Sequence, residues 1–229
     1  MNPIIVALDL ESAQQALDLV ARLGNTVETY KVGLESYTAA GMDLVRCLAA
    51  EGKDVFLDLK LYDIGETVKR AVARIAESGV RFTTVHGSGA AMRAAVEGRG
   101  GSSLKLLAVT VLTSYDQQDL ADLGYPCEVA DLVALRVRKA RETGIDGIVC
   151  SPLEAAAVRR IAGPEAILVT PGVRSAGAGK GDQKRVATPA EAIASGADYL
   201  VIGRQITRAE DPAAEARRIL AEIAPEARV

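Results

Sequence analysis

Short runs of branched apolar residues alternate with segments of helical period along almost the whole chain, and this alternation limits the possible folds more than any other feature. The runs that read as strands are Ile4–Leu8, Thr26–Val32, Val55–Leu59, Phe82–Val85, Leu104–Val111, Gly147–Cys150, Ala166–Thr170 and Tyr199–Ile202. Between them lie amphipathic stretches such as Ala13–Leu23 and Val129–Arg141. In the second, Val129, Leu132, Val133 and Val137 fall on one stripe, the repeat that lets a helix bury one side. Three helix starts are marked by a capping residue followed by proline: Ser151-Pro152 with Glu154, Thr188-Pro189 with Glu191, and Asp211-Pro212. A strand followed by a crossover helix returns parallel to itself. Eight such units within 229 residues therefore predict an α/β protein, a (β/α)8 TIM barrel forming a single domain over residues 1–229. A doubly wound open sheet is the alternative, but no G-x-G-x-x-G follows the first strand, where that fold often carries its phosphate loop.

The chain is 49% hydrophobic but only 3% aromatic, without Trp, so small and branched side chains must fill the core. A net charge of −3 and the lack of a basic tract argue against nucleic acid as a partner. No apolar run reaches the length of a membrane span. The opening MNPIIVALDLES lacks a basic n-region and meets Asp9 and Glu11 early, which speaks against a secretory signal. Cys47, Cys127 and Cys150 are isolated, odd in number and accompanied by one histidine in the whole chain. They suit neither a disulfide framework nor a zinc site. A cytoplasmic protein is expected.

A barrel carries its chemistry at the carboxyl ends of its strands. Those ends present Asp9, Lys31, Asp58 with Lys60, His86, Thr110 with Thr113, Ser151, Pro171 with Arg174, and Gly203 with Arg204, whereas the strand beginnings read as mostly apolar. The densest cluster is DVFLDLKLYDI, Asp54 to Ile64. Side chains two apart on a strand point the same way, about 6–7 Å apart. Asp58 and Lys60 should therefore share a face with Phe56, and Leu57, Leu59 and Leu61 should take the other. A Schiff-base lysine needs its pKa lowered. Lys60 instead stands between Asp58 and Asp63, which favour the ammonium and make it a proton donor. Lys31 extends the alternation of charge.

Barrels commonly grip phosphate with the loops after strands seven and eight. Here Gly203 permits close backbone approach, Arg204 offers a bidentate fork, and Arg174 approaches from the seventh loop. That loop, Gly172 to Ala187, is long and glycine-rich; it reads as a lid from which Gln183 reaches inward. His86 has no adjacent carboxylate and reads as structural. Asp9 is placed to take sugar hydroxyls, and Thr113 to meet a base or carbonyl.

DLKLYDI at Asp58–Ile64, with VALD near the start, YKVG at Tyr30–Gly33, VTVLTS at Val109–Ser114, TPGVR at Thr170–Arg174, GDQ at Gly181–Gln183 and IGR at Ile202–Arg204, resembles the orotidine 5′-phosphate decarboxylase family, bacterial type, across essentially the whole chain. The resemblance implies decarboxylation of orotidine 5′-monophosphate to UMP without metal or organic cofactor. Lys60 would protonate C6 and Asp58 would stress the substrate carboxylate, with Lys31 and Asp63 completing the array. It further implies a homodimer with shared active sites, to which Asp63, Ile64 and Thr67 come from the neighbouring subunit. Asp9 and Lys31 would hold the ribose, Thr113 the pyrimidine edge, Gln183 the lid, and Arg174, Gly203 and Arg204 the phosphate. Gly65 departs from the proline common in the family at that position. Two alternatives stand beside this reading. One is a magnesium-dependent sugar-phosphate enzyme of the same barrel superfamily, resembling hexulose-phosphate synthase or keto-gulonate-phosphate decarboxylase, which shares D-x-K-x-x-D. The other is a non-catalytic nucleotide-binding protein, which would require a gap in the charge array.

Overall fold

The computed structural model describes residues 2–176 and 186–223. Its strands are β1 (Ile4–Ala7), β2 (Thr29–Gly33), β3 (Asp54–Leu61), β4 (Phe82–His86), β5 (Lys105–Val109), β6 (Gly147–Val149), β7 (Ile167–Thr170) and β8 (Tyr199–Ile202). Each pairs in parallel with the next, and β8 closes on β1, which gives the expected closed barrel. The helices are α1 (Ala13–Leu23), α2 (Leu34–Ala50), α3 (Gly65–Ala76), α4 (Gly89–Arg99), α5 (Gln117–Asp122), α6 (Val129–Thr143), α7 (Ala155–Ala162), α8 (Pro189–Ala194), α9 (Arg204–Thr207) and α10 (Pro212–Ile223).

Pairing register sets strand ends that apolarity alone misplaces. The second strand begins at Thr29 rather than Thr26 because its partners on β1 are Ile5 to Ala7, opposite Thr29 to Lys31. The third runs on to Leu61 because Gly33 pairs with Asp58 and Leu61 with Val85. The capping box at Thr188 and Glu191 forms as expected. Asp211 caps α10 through the Ala214 N–H (2.9 Å). Ser151-Pro152 does not open a helix directly. Glu154 accepts the Ser151 N–H and Ser151 Oγ accepts the Leu153 N–H, closing a separate turn before α7 begins at Ala155.

Two apolar layers hold the barrel. Ile5, Phe56, Phe82, Leu107, Val109, Val149, Val169 and Tyr199 fill its inside, with Phe82 edge-on to both Phe56 and Tyr199. Outside, helices lay apolar stripes on the strands; in α6 the buried residues are Leu132, Val133, Val137 and Ala140. The strand beginnings are less apolar than the sequence suggests. Asp54, Lys105, Asp146 and Asp198 gather there in ion pairs with neighbouring elements, so the charge is neutralised locally.

Candidate active site

At the carboxyl end of the barrel opens a cavity of about 770 Å³. Its floor is apolar, formed by Phe56, Val109, Val149 and Val201. Polar side chains meet above it: Lys31, Asp58 and Lys60 from β2 and β3, Arg174 and Arg204 from the segments after β7 and β8, and Asp9 after β1 between the two groups.

Asp9 and the β2–β3 group form an unbroken alternating chain. Lys31 Nζ lies 2.8 Å from Asp9 Oδ1 and 3.9 Å from Asp58 Oδ2, and Lys60 Nζ lies 2.8 Å from the same Asp58 oxygen. The middle of the chain is withdrawn from water and its ends are open: the Lys31 and Asp58 side chains are 11% and 12% exposed, against 46% for Asp9 and 42% for Lys60. The glycine that ends the YKVG motif makes room for it. A Cβ on Gly33 would come within 2.5 Å of Lys31 Nζ and 2.8 Å of Asp9 Oδ1.

The expected sharing of one side by Phe56, Asp58 and Lys60 holds, since all three line the cavity, but simple pleating does not produce it. The β3–β4 register shifts between Leu57 and Leu61, and Lys60 has φ +49°, the only positive value at a non-glycine among the described residues. Such a conformation costs on the order of 1–3 kcal/mol and persists only where surroundings enforce it. Part of the enforcement comes from Thr84 on β4, whose Oγ1 accepts the Lys60 N–H (2.9 Å) and donates to Asp58 Oδ1 (2.8 Å). Nothing in the sequence points to Thr84, because its partners are fixed only by the β3–β4 pairing.

Arg204 is the first residue of α9, Gly203 is its N-cap, and both line the cavity wall with Arg174. Protein neighbours alone would tolerate a side chain at Gly203, where a Cβ would meet only Ala7, at 3.6 Å. The loop after β7 is drawn together at its base: the Arg174 N–H donates to Ala187 O, and the Ala187 N–H to Gly172 O. Ser175 then ties that base to the last helices. Its N–H donates to Gln205 Oε1 (3.1 Å) and its hydroxyl to Glu222 (2.9 Å). Each arginine thus precedes a residue of one Ser175–Gln205 link, which the sequence does not signal. Hydrogen bonding from Arg218 holds the carboxyl of Glu215, another partner of Gln205, below the usual glutamate range. Gln183 lies outside the described residues.

Thr113 is buried and lines the cavity. Glu11, Gln15 and Glu35 join the rim, a contribution the strand-end reading passed over because they sit on or near α1 and α2. Asp63, Ile64 and Thr67 do not line this cavity. Asp63 Oδ1 accepts the Ile64 N–H (2.6 Å), and Ile64 is 77% exposed. His86 lies outside the cavity lining too; its ring stacks against Tyr62, with centroids 4.2 Å apart. Burial first, then the positive charge of Arg136, pushes its pKa below the ordinary histidine value. Among the described residues, no group of three or more His, Cys, Asp or Glu side chains is arranged to hold a metal ion, and no helix is long and apolar enough to cross a membrane.

Known proteins share both sequence and shape with this chain. A protein named orotidine 5′-phosphate decarboxylase from Rhodopseudomonas palustris is 57% identical over 220 residues, covering 96% of this chain and 94% of its own length. One of the same name from Methylobacterium sp. is 55% identical over 224 residues, covering 96% and 95%. The crystal structure of orotidine 5′-phosphate decarboxylase from Lactobacillus acidophilus superposes with a TM-score of 0.86 at 35% identity, covering 98% of this chain and all of that one. The profile described as Orotidine 5′-phosphate decarboxylase / HUMPS family matches residues 2–219, and with relatives this similar over nearly their full lengths the chain belongs to that family.

Proposed function

We propose that this protein decarboxylates orotidine 5′-phosphate to UMP in pyrimidine biosynthesis, with Lys60 as the proton donor. The observation that carries this reading is the alternating Asp9–Lys31–Asp58–Lys60 chain above an apolar floor, in one cavity with two arginines. The substrate's phosphate lies against Arg174, Gly203 and Arg204, its ribose against Asp9 and Lys31, and its pyrimidine edge against Thr113. This places the C6 carboxylate beside Asp58. Two carboxylates close together raise the energy of the bound substrate, and the repulsion is relieved as CO2 leaves. The C6–carboxylate bond breaks, its electron pair stays on C6, and Lys60 Nζ delivers the proton that forms the C6–H bond. Lys31 and Lys60 offset the developing negative charge. No metal has a part in this scheme, and Asp58 is already engaged by Lys60, Lys31 and Thr84. Loss of orotidylate absorbance, followed with and without chelator, tests the reading. Equal rates are expected; turnover that chelator abolishes would favour the magnesium-dependent alternative.

The protein acts as a cytoplasmic homodimer in which Asp63, Ile64 and Thr67 complete the partner's site. Support comes from their position outside their own cavity, from the exposure of Ile64 itself, and from the exposed apolar side chains nearby, Tyr62 and, at the neighbouring strand end, Leu34. Mixing inactive Lys60→Ala and Asp63→Ala proteins should restore activity. Random exchange gives about a quarter of wild-type activity, because half the dimers are mixed and each keeps one intact site of two, as expected for residues acting as a unit. No recovery despite subunit exchange seen by mass spectrometry would place Asp63 in its own subunit's site.

A further inference from the structure

Thr84 is not among the residues lining the cavity, yet its hydroxyl bridges Lys60, to which the proton transfer is assigned, and Asp58, which stands against the substrate carboxylate. We propose that Thr84 is a positioning residue for the Asp58–Lys60 pair. Its side chain is fully buried on β4. A hydroxyl has one hydrogen to give, an ionised carboxylate only accepts, and an amide N–H only donates. The two bonds therefore fix the direction of both: Thr84 Oγ1 donates to Asp58 Oδ1 (2.8 Å) and accepts the Lys60 N–H (2.9 Å). The other Asp58 oxygen takes Lys60 Nζ at 2.8 Å. This makes a closed circuit running from the Lys60 backbone through Thr84 and Asp58 to the Lys60 ammonium. It clamps the one residue described here whose backbone is left-handed without being glycine. The neighbouring Thr83 is equally buried, but its hydroxyl donates to Leu57 O (2.9 Å), a tie between strands that does not involve the pair.

The inference rests on the assignment of Lys60 and Asp58 to the chemistry, so the experiment carries Lys60→Ala as a separate arm. If that variant kept wild-type kcat, the assignment itself would fail whatever Thr84 did. For the proposal, kcat and KM for orotidine 5′-phosphate and Kd for UMP are measured in Thr84→Val, Thr84→Ser and Thr83→Val. Val keeps the shape and removes the hydroxyl; Ser keeps the hydroxyl. Misplacing a reacting group by about 1 Å costs up to about 10²-fold, so Thr84→Val should lower kcat by roughly 10-fold or more. UMP Kd should stay within about 2-fold, because UMP has no carboxylate and binding shared by ground and transition states is untouched. Thr84→Ser should recover kcat to within about 3-fold of wild type, and Thr83→Val should leave kcat unchanged. Unaltered kcat in Thr84→Val, a Ser variant as impaired as the Val variant, or an equal loss in Thr83→Val would each overturn the proposal. Failure of Thr84→Val to fold would assign the hydroxyl to the fold and overturn it as well.

Discussion

The two mouths of the barrel use the same acid, aspartate, against basic partners, and use it differently. At the strand beginnings Asp146 accepts Arg99 (2.5 Å), Lys105 (3.3 Å) and the Leu106 N–H (2.9 Å). Asp198 accepts Arg159 (2.7 Å) and the Leu168 N–H (2.7 Å), and Arg81 joins Asp54 to the Tyr199 hydroxyl. These aspartates hold strands and helices together, and two of them take backbone amides directly. At the opposite mouth Asp58 is held by side chains, Lys31, Lys60 and Thr84, and the group opens onto the large cavity. Arginine predominates among the partners of the first mouth's aspartates, whereas both cations on Asp58 are lysines. Guanidinium is a planar fork that never gives up its proton under ordinary conditions, whereas an ammonium is a compact charge with a proton to deliver. An ion pair is therefore architectural when its acid is shared with the backbone and its base is a fork. It is poised for chemistry when the base is lysine and one side of the pair is left for a ligand.

The contrast is broken most directly at Lys60. Lys60→Ala should lower kcat by about 10²–10⁴-fold, the usual share of general acid catalysis, while UMP affinity and Tm stay near wild type. Retention of more than about a tenth of wild-type kcat would remove Lys60 from the proton transfer. Next comes the arginine wall of the cavity. Arg204→Ala should cost roughly 10²-fold in kcat/KM, about 3 kcal/mol for a charge-assisted contact to phosphate. A truncated substrate lacking phosphate should react poorly and be indifferent to the change; equal sensitivity of both substrates would mean that Arg204 supports the fold instead.

The architectural mouth should give the reverse signature. Asp146→Ala strands Arg99, Lys105 and an amide, and should destabilise the protein by about 2–3 kcal/mol, read from denaturant unfolding, with kcat of the folded enzyme unchanged. A large fall in kcat without loss of stability would erase the distinction between the two mouths. The smallest effect is expected at Gly65, the first residue of α3, whose φ is not positive and where a Cβ would make only an ordinary 3.6 Å contact with Ala94. Proline suits a first helical position, so Gly65→Pro should stabilise by about 0.4–1 kcal/mol through the unfolded chain. A lower Tm would show that the Gly65 backbone is needed as it stands.

Much of this is legible in the amino-acid sequence. The alternation of branched apolar runs with helical stripes defines the barrel, because strand and helix periods are local properties of the chain. Asp9, Lys31, Asp58, Lys60, Thr113, Arg174, Gly203 and Arg204 were readable as rim residues by counting to the end of each strand, and all of them line one cavity. Gln183, read from the glycine-rich loop rather than from a strand end, lies outside the described residues. Tertiary structure decided what depends on pairing between distant segments. It set the true strand ends, the left-handed backbone at Lys60, the Thr84 hydroxyl between Asp58 and Lys60, the room that Gly33 leaves for Lys31, and the Ser175–Gln205 link between the segments that follow β7 and β8. The physical reason is the reach of each force. Periodicity and capping act over a few neighbouring residues, whereas register, close approach and shared hydrogen bonds exist only once strands far apart in sequence lie side by side.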